Sequence, residues 1–230
     1  MGSMAIYLTP QKQQTKKTTT MSFRDWTLQK LDKTFQLKRR LQCPILDNWE
    51  KMPFNIEAVH LSELELLRQD LFLFADTWNE DELKWNFISV LMKLVNYRTS
   101  TYNMFLNRPM EAEVNNYTLK GFVDAVIATG MYEPEAPFFC FHEYKREKGT
   151  GDDPRGQLLS AMLAAQKLNN KEIPIYGAYV VGRNWFFVVL EGNEYCISNN
   201  FSATHKDELQ TIYKMLANLK VMIDNQLLSN

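Results

Sequence analysis

Charged residues stand where a packed core is expected. The stretch FFCFHEYKRE, residues 138–147, begins as a buried β-strand, with aromatic and small apolar residues, then places Glu143 and Lys145 two apart before any turn signal. Side chains along a strand repeat every two residues, so Phe139, Phe141, Glu143 and Lys145 are expected on one face. Upstream, GFVDAVIATG (121–130) sets Asp124 inside an apolar run, with Phe122, Val126 and Ala128 as its face partners. A buried carboxylate without a partner is costly, so Asp124 requires a cation or a donor. If the two runs are neighbouring antiparallel strands, Asp124, Glu143 and Lys145 meet on one face. Two carboxylates and an amine suit a divalent cation in phosphodiester hydrolysis. Mg²⁺ prefers oxygen and is held by one or two carboxylates, with waters and substrate oxygens completing its shell. It polarises a phosphoryl oxygen and acidifies bound water. A lysine beside that water can position it, or take its proton if the lysine pKa is lowered by its surroundings.

These residues need elements to hold them, and the chain changes period in the right places. Residues 1–20, including QKQQTKKTTT, are polar and aperiodic and read as a mobile tail. SFRDWTLQKLDKTFQLKRRL (22–41) has apolar residues at roughly helical spacing, with Ser22 as N-cap. A second helix is expected from LSELELLRQDLFLFADTW (61–78), where Ser62 and Glu65 form a capping-box pattern. A third runs from Asn79 or Glu80 to about Asn96. EAEVNNYTLKGFVDAVIATG (111–130) reads as two strands joined at Asn115–Asn116, and residues 137–145 as the next strand. The segment GTGDDPRG breaks that strand and opens a helix over 154–168, with Asp153 as N-cap and Pro154 at the first helical position. Its small side, Gly156, Ala161, Ala164 and Ala165, suits close packing on a sheet. Strands at 174–181 and 184–192, a short one at EYCIS, and an amphipathic helix from about residue 205 complete the chain. Strand 137–145, helix 154–168 and strand 174–181 form a crossover unit with parallel strands and a right-handed connection. The fold class is therefore α/β with a mixed central sheet, preceded by N-terminal helices over 21–78, the main domain spanning 79–230.

Composition narrows the class further. Of the 230 residues 45% are hydrophobic, enough for a packed core and against global disorder. No apolar run reaches the roughly 18–20 residues of a membrane helix, and the start lacks the apolar segment of a secretory signal. The leading Met-Gly-Ser before a second Met reads as an added remnant. Cys43, Cys140 and Cys196 are widely spaced and odd in number, which argues against a disulfide framework or a zinc site and for a reducing, cytoplasmic setting. Net charge is −1, so there is no global basic signature for nucleic acid. The charge is uneven, however. Residues 1–56 carry ten Lys/Arg against four Asp/Glu, and residues 57–96 carry three against eight. HEYKR has no second histidine four positions on, which excludes a zinc-protease helix. GTGDDPRG lacks the Lys-Ser/Thr of a phosphate loop, and Cys196 with His205 is too loose a pair for a nucleophilic hydrolase.

The ordered set GFVDAVI, FFCFHEYKRE and DPRGQLLSAMLAAQ resembles the PD-(D/E)XK nuclease superfamily, the restriction-endonuclease-like fold. Val123 stands where members often have proline. The resemblance covers roughly 100 of the 230 residues and implies an αβββαβ core. It implies that Asp124 and Glu143 are metal ligands, that Lys145 is the catalytic lysine, and that Gln157 is the glutamine many members place near the active site. Many members carry a further acid on the helix before the sheet. Glu80 is favoured over Glu82, because Phe87 and Leu91 lie seven and eleven positions after it on the apolar face, whereas Glu82 can close a capping box with Asn79. The expected ligand set is thus Asp124, Glu143, the Tyr144 carbonyl and Glu80, around Mg²⁺ or Mn²⁺. The implied activity is a Mg²⁺-dependent nuclease acting on DNA, without membrane association, with a homodimer left open. The alternative is a non-catalytic nucleic-acid- or protein-binding module that keeps the fold, which the near-neutral charge favours.

Overall fold

The computed structural model describes residues 18–148, 151, 153–170 and 173–228. The longest antiparallel ladder joins β3 (Tyr102–Val114) to β4 (Tyr117–Thr129) through the Asn115–Asn116 turn. Asn115 adopts φ 57°, a left-handed conformation that asparagine tolerates. Strand β5 (Glu135–Lys145) runs antiparallel to β4, and β6 (Ile175–Val181) runs parallel to β5. Helix α6 (Pro154–Asn169) makes the crossover between them. Strands β7 (Asn184–Glu191) and β8 (Glu194–Ile197) extend the sheet by hairpins, and β9 (Phe201–Ser202) pairs with β7. From Glu80 to Val181 the order is α-β-β-β-α-β around a mixed sheet, the restriction-endonuclease-like core expected above.

Strands β4, β5 and β6 are apolar on both faces because both are covered. One face packs on α2 (Pro44–Lys51), α3 (Ala58–Phe74), α5 (Ser89–Val95) and the C-terminal α7 (Lys206–Leu228). The other packs on α6 and on α1 (Leu28–Phe35). Asp153 caps α6 as expected, accepting from the Arg155 amide at 3.2 Å. Its other oxygen accepts from the Leu28 amide at 3.1 Å, which ties the start of α1 to the start of α6. Gly156 makes that approach possible: a Cβ there would collide with the Trp26 carbonyl oxygen and lie 2.7 Å from the Thr27 Cα.

The N-terminal third differs from the helical reading. Of the expected tail, residues 1–17 lie outside the described residues, while Thr19 and Thr20 begin β1 (Thr19–Ser22), parallel to the first residues of β4. The helix expected over 22–41 is broken. A 3₁₀ turn covers Phe23–Asp25, α1 starts only after Thr27, and Gln36 (φ 55°) ends it. Strand β2 (Lys38–Arg39) then pairs with β8. Sheet edges supply backbone partners from distant strands, and they prevail over the local helical period. The expected Ser62–Glu65 capping box is also absent. Helix α3 begins a turn earlier at Ala58, so Ser62 lies inside it and donates to the Ala58 carbonyl, and Glu65 pairs with Arg68 at 2.7 Å. Residues 19–78 contribute two strands to the sheet and residues from Phe23 to Ala75 to the packed cores on its two faces. All three cysteines are buried and unbonded. Among the described residues no helix is long and apolar enough to cross a membrane.

Candidate active site

The site forms where β4 loses its neighbours. Residues Tyr117–Lys120 pair with β1, and Ala125–Thr129 pair with β5 on the same edge, so residues 121–124 are left without a partner between them. One step past the last β4–β5 pair, Ala125–His142, the register would set Asp124 opposite Glu143, but there the ladder ends. The Asp124 side chain takes over the ladder's role, with Oδ2 accepting from the Tyr144 amide at 2.9 Å. On the other edge, the β3 pairing passes from Leu106–Ala125 to Arg108–Val123, skipping Asn107 and Asp124. Asn107 has φ 50° at that point. This irregularity breaks the alternation of β4: Val123 and Val126 both belong to the core beneath α6.

Strand β5 carries its own irregularity. The pairing steps from Ile127–Cys140 to Ala128–Phe138, leaving Phe139 as an extra residue. Phe139 therefore joins Cys140 and Tyr144 in the core beneath α5 and α7, away from Phe141. This corrects the expected face of Phe139, Phe141, Glu143 and Lys145, because a bulge shifts the two-residue period by one. His142 faces opposite to Glu143, with its Nδ1 2.7 Å from the Tyr144 hydroxyl. Burial lowers its pKa to about 4.

Glu143 and Lys145 lie 2.7 Å apart with side chains only 3% and 4% exposed. The pair is thus shielded from water within the sheet. Burial, and next the Asp124 charge, push the Glu143 carboxyl up to about 8, against the opposing pull of Lys145. For Lys145, burial pulls downward, but Glu143 and then Glu80 and Asp124 outweigh it, so the pKa is raised and the ammonium stays charged.

The third contribution comes from the helix before the sheet. Asn79 Oδ1 accepts from the Glu82 amide at 2.9 Å and Glu82 Oε2 accepts from the Asn79 amide at 2.7 Å, so Glu82 closes a capping box. Glu80, the first residue of α4 (Glu80–Leu83), turns toward the sheet, with Oε2 3.8 Å from Lys145 Nζ. A π-helical turn follows over Lys84–Ile88, leading into α5. Its first residue, Lys84, was not anticipated from the sequence. The Lys84 Nζ donates to Glu80 Oε1 at 2.7 Å and to Asp124 Oδ1 at 2.9 Å. A signal was present, since Lys84 is four residues after Glu80 on the same helix face. Burial opposes its charge, but the hydrogen bond it donates to Glu80 and the Asp124 charge raise its pKa.

Gln157, in the first turn of α6, is 5% exposed. Its Oε1 has no hydrogen-bond partner among the described residues. It lines a small recess together with Phe122, Phe141 and Glu143. The recess is separate from the main groove, of about 850 Å³, whose walls include Asp124, Glu80 and Lys84 with Arg24, Lys93 and Arg98. Ion pairs thus link Glu80, Asp124 and Glu143 through Lys84 and Lys145, with Gln157 lining a recess beside Glu143 on the α6 side.

The donors fit a hard divalent cation in kind. They are carboxylate oxygens brought together from α4, β4 and β5. Among the described residues, however, no three His, Cys, Asp or Glu side chains stand together as a ready-made metal cage. Lysine ammonium groups lie between the carboxylates instead.

No protein-family model matches the sequence, and no curated protein matches it. A comparison with solved structures finds a chain described as "cryoEM structure DrdV-DNA complex", at TM-score 0.42 and 14% identity. The match covers 68% of this chain and 13% of that one.

Proposed function

We propose that the protein is a Mg²⁺-dependent nuclease hydrolysing phosphodiester bonds, with DNA as the expected substrate. The observation that carries this reading is the linkage, from three separate elements, of Glu80, Asp124, Glu143 and Lys145 by ion pairs, with Glu80 and Asp124 opening onto a groove that Arg24, Lys84, Lys93 and Arg98 also line. Asp124, Glu143 and the Tyr144 carbonyl would hold the ion, with Glu80 reaching it directly or through water. When bound, the ion supplies Lewis-acid polarisation of a phosphoryl oxygen and a more acidic water.

The chain's own residues do the rest. Asp124 is oriented by the Tyr144 amide, which fixes one oxygen and leaves the other turned to the groove. Lys145, beside Glu143, acts on the attacking water and on charge developing on phosphate. Gln157 brings a carboxamide whose Oε1 has no partner among the described residues into the recess beside Glu143. Arg24, Lys93 and Arg98 line the approach and suit phosphate contacts.

The test is calorimetric titration of Mn²⁺ into wild type and Asp124→Asn, with cleavage assays on single- and double-stranded DNA and RNA. Affinity lost in the variant together with Mg²⁺-dependent cleavage by wild type supports the reading. Equal affinities would remove the metal site. The non-catalytic binding module is favoured by one observation, the pairing of the carboxylates with Lys84 and Lys145. Nucleic-acid binding without cleavage, under every metal tried, would select it.

A further inference from the structure

We propose that Lys84 is a built-in counter-ion of the metal site, holding the position between Glu80 and Asp124 until a divalent cation and substrate phosphate arrive together. This rests on the metal-dependent reading above and adds a coupling to it. The Lys84 Nζ spans the two carboxylates at 2.7 and 2.9 Å, the role a bridging cation would fill. Its bonds take Asp124 Oδ1, the oxygen that the Tyr144 amide leaves free.

A dication placed against Asp124 cannot share that spot with an ammonium, because like charges a few ångströms apart repel strongly in a partly buried site. Two lysines border the acids, and they differ in freedom. Lys145 is 4% exposed and held on its strand, whereas Lys84 is 28% exposed and lines the groove. Lys84 therefore withdraws, on a flexible four-carbon stem, toward the groove where Arg24, Lys93 and Arg98 also stand. A phosphate there gives the displaced ammonium a partner. Without nucleic acid, the displacement is uncompensated and metal binds weakly. With it, each ligand strengthens the other, and such coupling is reciprocal.

The experiment is titration of Mn²⁺ into the full chain, for wild type, Lys84→Met, Lys84→Gln and Lys84→Arg. Each is run alone and with a phosphorothioate-backbone DNA oligonucleotide in single-stranded and duplex arms. Thermal melting confirms folding, and the glutamine variant replaces the methionine variant if the latter does not fold. Removing the ammonium is expected to tighten Mn²⁺ binding about tenfold or more without DNA, given the strength of close charge repulsion. DNA should then tighten Mn²⁺ binding to wild type and to Lys84→Arg, and leave the neutral variants nearly unchanged. Equal Mn²⁺ affinity in wild type and the neutral variants would overturn the proposal. Weaker binding in those variants would also overturn it, by showing that Lys84 organises the acids for the metal. If Mn²⁺ binds neither wild type nor any variant, the metal-dependent reading fails, and this inference fails with it.

Discussion

Lys145 Nζ stands 2.7 Å from Glu143 Oε1, and solvent reaches almost none of either side chain. A buried ion pair behaves differently from a surface one. Removing one partner leaves an uncompensated charge, which costs several kcal/mol where a surface pair would cost almost nothing.

Lys145→Ala should therefore affect both chemistry and folding. Turnover is expected to fall by roughly 10²-fold or more, the scale of a lost acid–base or charge-stabilising group. Stability should fall by about 3 kcal/mol, moderated because Glu143 is already pushed toward its neutral form. Mn²⁺ affinity should hold or rise. Denaturant unfolding, a nuclease assay and calorimetry read the three effects separately. Unchanged cleavage would remove the catalytic role.

Gln157→Leu separates site from scaffold. The buried carboxamide oxygen has no partner among the described residues, so leucine should leave stability unchanged or raise it by about 1 kcal/mol. If the carboxamide serves the site, turnover drops all the same. A clear loss of stability with normal turnover would mark Gln157 as a structural residue.

Gly156→Ala tests the packing of α6 against the segment before α1. A Cβ would meet backbone atoms of Trp26 and Thr27, which cannot rotate away. The expected cost is about 2 kcal/mol or more, typical of overpacking. Chemical denaturation gives it directly, and a neutral result would mean the two segments separate easily.

His142 should make stability pH-dependent. Its pKa is lowered by burial to about 4, from an ordinary value of 6.5. The folded state keeps it neutral, so between these values the unfolded chain binds the extra proton. Its contribution is complete above pH 6.5 and lost as pH falls toward 4, about 3 kcal/mol in all. His142→Phe should flatten that part of the stability–pH curve relative to wild type. Parallel curves would show that the imidazole is not the titrating group.

Local chemistry marked out much of this protein in the sequence. Asp153 followed by Pro154 set the start of α6, Asn79 and Glu82 set the start of the helix that presents Glu80, and Asn115–Asn116 set the β3–β4 turn. Those features depend on residues within a few positions of one another. The apolar runs around Asp124 and Glu143 likewise announced central strands, because strands covered on both faces must be apolar throughout. The αβββαβ order followed from those runs.

Tertiary structure decided the remainder. The helical period of residues 22–41 gave way to β1, a short α1 and β2, since unpaired sheet edges offered hydrogen bonds that no local pattern encodes. The bulge at Phe139 reversed its face, because register depends on both strands of a pair. The burial of the Glu143–Lys145 pair, the unpartnered oxygen of Gln157 and the bridge from Lys84 to Asp124 all arise between groups from 2 to 40 residues apart whose surroundings are built by other elements. Sequence shows which side chains can carry charge. How strongly those charges act on one another depends on distance and on the exclusion of water, and both are set only when the strands and helices close around them.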